Sequence, residues 1–301
     1  MARLERIAIV GAGLMGNGIA AVFAARGHDV RIHDPVAAAL EAVPTRVSGI
    51  LKDIGEDAGA AARVSVHAAL EDALRDADFV TEAAPEKLPL KQDLFVRLVA
   101  LTGPDCVLAS NTSVIPITDI GAKLSDASRV IGTHWWNPPY LIPLVEVVQT
   151  TRSDPKYIAR TMDLLKRVGK LPLHVKRDVP GFVANRLQHA LWREAIALVE
   201  GGVCDAETVD LAIKNSFGVR IAALAPLENA DLVGLDLTED IHKVILPDLN
   251  RSQAPSPLLA EKVKKGELGV KTGKGFYDWT PEKADAVRAR MLRHLRAALK
   301  K

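Results

Sequence analysis

The stretch Ile7-Ala8-Ile9-Val10-Gly11-Ala12-Gly13-Leu14-Met15-Gly16 restricts the fold of this chain more than any other. A short apolar run of the kind a buried parallel strand requires enters a G-x-G-x-x-G directly. The chain continues as Ile19-Ala20-Ala21-Val22-Phe23-Ala24-Ala25, rich in helix formers, and stops at Gly27. A second apolar run, Val30 to His33, ends at Asp34, eighteen residues after Gly16. Strand, glycine turn, helix, strand and acid in this register predict a dinucleotide-binding βαβ unit. Gly11 permits the tight turn, Gly13 lets backbone approach a pyrophosphate, and Gly16 brings helix and strand together. The amides of Leu14 and Met15 open the helix toward the phosphates. Asp34 is placed to accept from the ribose hydroxyls, and its charge opposes the extra phosphate of NADP, so the expected cofactor is NAD.

Beyond Asp34 the pattern alternates. Val36 to Arg63 predicts short helices and an irregular connection, broken by Pro44, Gly49, Gly55 and Gly59. Strands are expected at Val64–Val66, Asp78–Ala84, Cys106–Ala109, Val130–His134, Val145–Val148 and Leu171–Val175. Between them lie helical stretches, including Lys87 to Leu101 with Leu90, Leu94, Leu98 and Leu101 on one face, and Asp154 to Gly169. This alternation predicts an α/β, Rossmann-like, mainly parallel sheet. After Asp178-Val179-Pro180-Gly181 the pattern turns helical, which divides the chain into domains at 1–178 and 179–301. A chain of 301 residues with 48% hydrophobic and 25% charged residues is an ordinary globular protein. Its net charge of +2 gives no reason to expect nucleic acid or an anionic membrane surface as a partner. No segment is long and apolar enough for a membrane span, and the first apolar run is too short for a signal peptide. Cys106 and Cys204 form no disulfide framework, and the expectation is a reduced, cytoplasmic protein.

The second informative stretch is Thr133-His134-Trp135-Trp136-Asn137-Pro138-Pro139, followed by Leu144-Val145-Glu146-Val147-Val148. His134 ends one β-branched run and Glu146 lies inside another. Two adjacent strands would aim imidazole and carboxylate at each other as a proton-transfer pair. The alternative is a hydrogen-bonded structural histidine with an ion-pair partner. Trp135 and Trp136 are read as packing residues, one of them a wall of the substrate pocket. The other seven histidines have no ligand-like spacing, so no metal site is expected.

Taken together, these motifs resemble the L-3-hydroxyacyl-CoA dehydrogenase family over nearly the whole length. The resemblance is carried by Gly11 to Gly16, Glu82-Ala83-Ala84-Pro85-Glu86, Ala109 to Ser113, Thr133 to Pro138 and Leu144 to Val147. Pro180 to Arg186 and Gly269 to Tyr277 complete it. It implies an all-helical C-terminal domain that forms a homodimer, and a small-molecule substrate bound beside NAD. It further implies His134 as general base, Glu146 as its orienting carboxylate, and Ser110 bonded to the substrate oxygen. Asn137 and Asn185 would fix substrate and nicotinamide, and Glu86, Lys91 and Lys271 would contact the cofactor. The bland readings are a turn cap for Ser110, a surface polar residue for Asn185 and a solvated helix face for Lys91.

The expected reaction is oxidation of the hydroxyl of an L-3-hydroxyacyl substrate, such as 3-hydroxybutyryl-CoA, to the keto product. Two departures favour the alternative, a free 3-hydroxy acid of the carnitine or gulonate type, whereas Ser110-Asn111-Thr112-Ser113 and the aromatic pair itself lean back toward the acyl-CoA enzymes. His134 is followed by two tryptophans and a proline-rich segment, where the acyl-CoA enzymes commonly carry two Phe and a Met-Lys. The region Val36 to Arg63 offers Arg46, Lys52 and Arg63 against Glu41, Asp53, Glu56 and Asp57, a poor clamp for CoA phosphates. A rival of another class is a non-catalytic NAD-binding or structural protein. The β-hydroxyacid dehydrogenases, which share a similar glycine loop, rely on a catalytic lysine and predict neither His134 nor Glu146.

Overall fold

The computed structural model describes residues 4–299. In the N-terminal part the elements run β1 (Arg6–Val10), α1 (Leu14–Ala25), β2 (Asp29–His33), α2 (Ala37–Glu41) and α3 (Val43–Asp53). They continue as β3 (Val64–His67), α4 (Leu70–Leu74), β4 (Phe79–Glu82), α5 (Leu88–Leu101), β5 (Val107–Ser110) and α6 (Ile117–Ile120). The series closes with β6 (Val130–Trp135), β7 (Leu144–Val148), α7 (Pro155–Arg167) and β8 (Leu171–Val175). Among the described residues these strands form one sheet in the order β3-β2-β1-β4-β5-β6-β7-β8. The order reverses between β1 and β4, which opens a crevice at the carboxyl ends of those strands. Every neighbouring pair is parallel except β6 and β7. The connection 136–143 is too short for a crossover, so β7 returns antiparallel.

Each central strand buries both faces. In β1, Ile7 and Ile9 join the cluster around Phe23, Val47 and Leu165, whereas Ala8 and Val10 join Leu74, Phe95 and Leu98. Helices cover both sides of the sheet, which is why its strands read as unbroken apolar runs. In α5 the fully buried positions are Lys91, Phe95 and Leu98, while Leu90 stays exposed. The expected leucine stripe is therefore turned, because a buried ion pair takes the position beside the sheet end.

The chain divides into two compact units, one ending at Arg186 and resuming at Leu295, the other Leu187–His294. The helical character begins after Pro180 as the sequence anticipates. Residues 182–185 nonetheless belong to the first unit, because their backbone and side chains bond there. From there the elements are α8 (Ala184–Glu200), α9 (Ala206–Asn215), α10 (Phe217–Arg220), α11 (Pro226–Val233), α12 (Leu235–Ile245), α13 (Pro257–Lys264) and α14 (Pro281–Leu299). Isolated bridges at Gly269–Lys274 and Lys274–Asp278 tie the turn that carries Lys271. No helix among the described residues is long and apolar enough to cross a membrane.

Candidate active site

The glycine turn follows β1 at the crevice. Gly11 has φ +115°, a conformation closed to most side chains, and a Cβ there would meet the Ala83 carbonyl oxygen at 2.5 Å. A Cβ at Gly16 would come within 1.9 Å of the Gly11 oxygen, so helix and turn touch backbone to backbone. Gly13, by contrast, faces open space, with nothing within 4 Å of a built Cβ. Helix α1 starts beside it with no side-chain cap and no acidic residue in its first turn. Open backbone in front of an uncapped helix N-terminus fits the pyrophosphate of a dinucleotide. Asp34 accepts from the Ala12 amide at 2.8 Å and the Val36 amide at 2.9 Å, so its carboxylate also fixes the turn.

His134 and Glu146 are directly opposed on β6 and β7. Nδ1 of His134 lies 2.8 Å from Oε2 of Glu146, with the His 4% exposed and the Glu fully buried. The other carboxylate oxygen accepts from the amides of Val183 at 2.9 Å and Ala184 at 3.1 Å. Gly181 and Phe182, at φ +73° and +51°, make the left-handed turn that delivers those amides. Burial pushes the Glu146 carboxyl up, but the His134 bond and the two amides outweigh it and hold it below the usual range. Trp136 and Phe182 flank the imidazole at ring-centroid distances of 5.2 and 5.6 Å. Nε2 has no hydrogen-bond partner among the described residues. A base whose orienting nitrogen is occupied and whose second nitrogen is unengaged has the arrangement needed to take a proton.

Beside this pair, at the ends of β4 and β5, lies a buried polar network around Glu82, which is fully buried. Its Oε1 accepts from Lys91 Nζ at 2.6 Å and the Ala84 amide at 2.7 Å. Its Oε2 accepts from Ser110 Oγ at 2.5 Å. Lys91, 1% exposed, also lies 3.4 Å from Glu86. Glu86 Oε1 accepts from the Thr112 hydroxyl at 2.5 Å and from the amides of Ser113 and Val114 at 2.9 and 3.2 Å. Burial raises the Glu86 pKa, but the Thr112 bond, Lys91 and those amides together bring it below the usual value. Asn185 Nδ2 donates to the Ser113 carbonyl at 2.8 Å.

A model of the 3-hydroxyacyl-CoA dehydrogenase NAD binding domain matches residues 6–179, and a model of that family's C-terminal domain matches residues 181–279. The chain belongs to the 3-hydroxyacyl-CoA dehydrogenase family. Members of this family are NAD-dependent oxidoreductases acting on CH–OH, and NAD is the cofactor here. A solved structure of 5-formyl-3-hydroxy-2-methylpyridine 4-carboxylic acid 5-dehydrogenase, described as an NAD+ dependent dismutase, is 37% identical with a TM-score of 0.92, covering 98% of this chain and 97% of that one. The L-carnitine dehydrogenase of Streptomyces griseus is 42% identical over 77% of this chain and 70% of its own length. A probable 3-hydroxybutyryl-CoA dehydrogenase of Bacillus subtilis is 37% identical over 92% of this chain and 98% of its own.

Within this dehydrogenase the structure brings Ser110, Glu86, Lys91 and Asn185 into one connected set. Ser110 is fully buried, its hydroxyl donating to Glu82 and accepting from the Thr112 amide at 3.2 Å. Asn137 is exposed on the loop after β6. Lys271 lies in the second unit. Sequence reasoning missed Glu82 and Thr112. A signal for Glu82 was available: an acid at the end of Phe79-Val80-Thr81 in a buried strand requires a partner, and Lys91 follows within reach on the next helix. Trp135 is core packing, edge-on to Phe23, whereas Trp136 stands against the His134 ring.

Proposed function

We propose that this dehydrogenase oxidises the hydroxyl of a small free acid, of the 3-hydroxy type found in carnitine, with His134 as general base. The observation that carries the reading is the His134–Glu146 pair, buried and aligned, with Nε2 left unengaged. Bound NAD supplies the hydride acceptor. His134 takes the hydroxyl proton at Nε2, because Glu146 holds Nδ1 and so selects the tautomer. The Glu146 charge, fixed by the Val183 and Ala184 amides, stabilises the imidazolium as it forms. Asn137 and Asn185 orient the substrate. Ser110 acts with Glu82 as the floor on which the cofactor-contacting residues rest, and Glu86, Lys91 and Lys271 are assigned to NAD. Gly11, Gly13, Leu14, Met15 and Gly16 cradle the pyrophosphate.

Preference for a free acid is supported by the lack of a net positive charge over Val36 to Arg63, three bases against four acids, and by the relatives that carry a carboxylate substrate in their names. The CoA thioester is the second reading, favoured by the B. subtilis relative that matches along nearly its whole length. NADH formation from L-carnitine, gulonate, 3-hydroxybutyrate and 3-hydroxybutyryl-CoA decides between them. A higher kcat/KM for 3-hydroxybutyryl-CoA overturns the free-acid assignment. NADH binding without turnover of any of them favours a non-catalytic protein. His134→Gln is expected to retain NADH binding and lose about 10²–10⁴ in rate; unchanged turnover removes His134 from the mechanism.

A homodimer through the helical unit is part of the same reading. Within Leu187–His294 the buried hydrophobic residues are Val209 and Ala284, while Leu227, Val244, Leu232 and Val219 are 82%, 80%, 73% and 72% exposed. A helical unit with this much apolar surface outside is supported by a second copy rather than by a core of its own.

A further inference from the structure

The loop 136–143 connects His134 to Glu146 along the chain and carries Asn137. Three prolines, Pro138, Pro139 and Pro143, remove donors from it, and its internal bonds are those of the Leu141 and Ile142 amides to the Pro138 carbonyl, each 3.0 Å. The rest of its support comes from outside. Lys170 Nζ donates to the Pro139 carbonyl at 2.5 Å and to the Ile142 carbonyl at 2.9 Å. The same ammonium stands 5.5 Å from the centre of the Trp135 ring, one residue after His134. Pro139 packs on α1, where a Cβ at Gly18 would come within 2.4 Å of its Cγ. The loop is therefore pinned by the glycine helix, by Lys170 and, at its last residue, by the Leu171 amide, which donates to the Pro143 carbonyl at 2.9 Å.

We propose that Lys170 is a positioning residue of this dehydrogenase. By holding two carbonyls with one ammonium it sets the path of the loop between the base and its carboxylate, and with it the place of Asn137. This rests on the roles given above to His134 and Asn137.

No carboxylate among the described residues pairs with Lys170. Arg26, Lys52, Asp53, Glu56, Tyr140 and Arg296 line with it a cavity of about 670 Å³. The acids there are already engaged, Glu56 with Arg26 at 2.7 Å and Asp53 with Arg296 at 3.6 Å. Burial first, and then Arg26, push the Lys170 pKa down to about 8. A charge held half-buried without a counter-ion costs stability, so what retains it is geometry rather than net stability.

Lys170→Met and Lys170→Arg test this, read by melting temperature, NAD+ titration, amide exchange and steady-state kinetics with L-carnitine and 3-hydroxybutyryl-CoA as probes. Lys170→Met is expected to keep or raise the melting temperature and to leave NAD+ affinity within about twofold, while exchange at Leu141 and Ile142 rises about tenfold. KM for a probe that the wild type turns over rises more than kcat falls, and Lys170→Arg, which keeps the charge and the donors, restores much of both. Unchanged exchange at Leu141 and Ile142, or a looser loop with unchanged KM, overturns the proposal. So does a lowered melting temperature with faster exchange throughout the sheet, which marks a merely structural lysine. His134→Gln in the same assays separates the two levels: undiminished turnover there defeats the functional reading, whereas the exchange results bear on Lys170 alone.

Discussion

Buried carboxylates define the site at the scale of single residues, and each is met differently. Glu82 is held by a cation, and Glu146 by an imidazole and two amides. Removing one partner of the Lys91–Glu82 pair leaves a charge in a dry environment. Lys91→Met is therefore expected to cost about 3–5 kcal/mol, read by denaturant unfolding, and the double change with Glu82→Gln to cost less than Lys91→Met alone. For Glu146 the sign follows from its lowered pKa. The unfolded chain binds the proton more tightly, so its contribution to stability is complete above the usual carboxylate pKa and is lost as pH falls through the folded value. Glu146→Gln should flatten that part of the acid-unfolding curve, and an unaltered curve would show that the carboxylate is not stabilised by these bonds. Lys170 shows the same sign in a more alkaline window. Between about pH 8 and 10.5 the unfolded chain holds more protons at this group, so stability rises with pH in that window, and Lys170→Met should abolish the rise.

Among the elements, the β1–α1 junction has the least freedom. The turn and helix meet through Gly11 and Gly16 with no room for a methyl group. Gly16→Ala is expected to force the helix off the strand, costing about 1–3 kcal/mol and abolishing NAD binding, checked by thermal melts and NADH fluorescence titration. Retained NADH affinity would mean the turn can yield. The junction was legible because glycine spacing, strand and helix formers are all local. Helix α5 was legible as a helix, but its buried face was not. Leucine periodicity pointed to Leu90, whereas Lys91 is the residue drawn inward, by two carboxylates on other segments. Side-chain hydrophobicity alone does not encode a buried ion pair.

For the whole molecule, the two compact units differ in how they bury apolar surface. The first has a core on each face of its sheet, and the second has almost none of its own. Val244→Glu or Leu227→Glu should shift the protein toward a monomer in sedimentation, with a melting temperature that no longer rises with protein concentration. A wild type that sediments as a monomer at all concentrations would refute the dimer.

What the sequence determined by itself was the architecture and the family. Strand and helix periods, the glycine fingerprint and the pairing of His134 with Glu146 on neighbouring strands are short-range signals repeated along one chain. The tertiary structure decided what those residues touch. Ser110 turned inward to Glu82, Lys91 left the solvent, and Lys170, unremarkable in sequence, came to rest on the loop between His134 and Glu146. These contacts join residues 28, 9 and 31 positions apart through burial in a shared low-dielectric interior. No local pattern specifies such partners, because the requirement to satisfy a buried charge arises only once the chain has enclosed it.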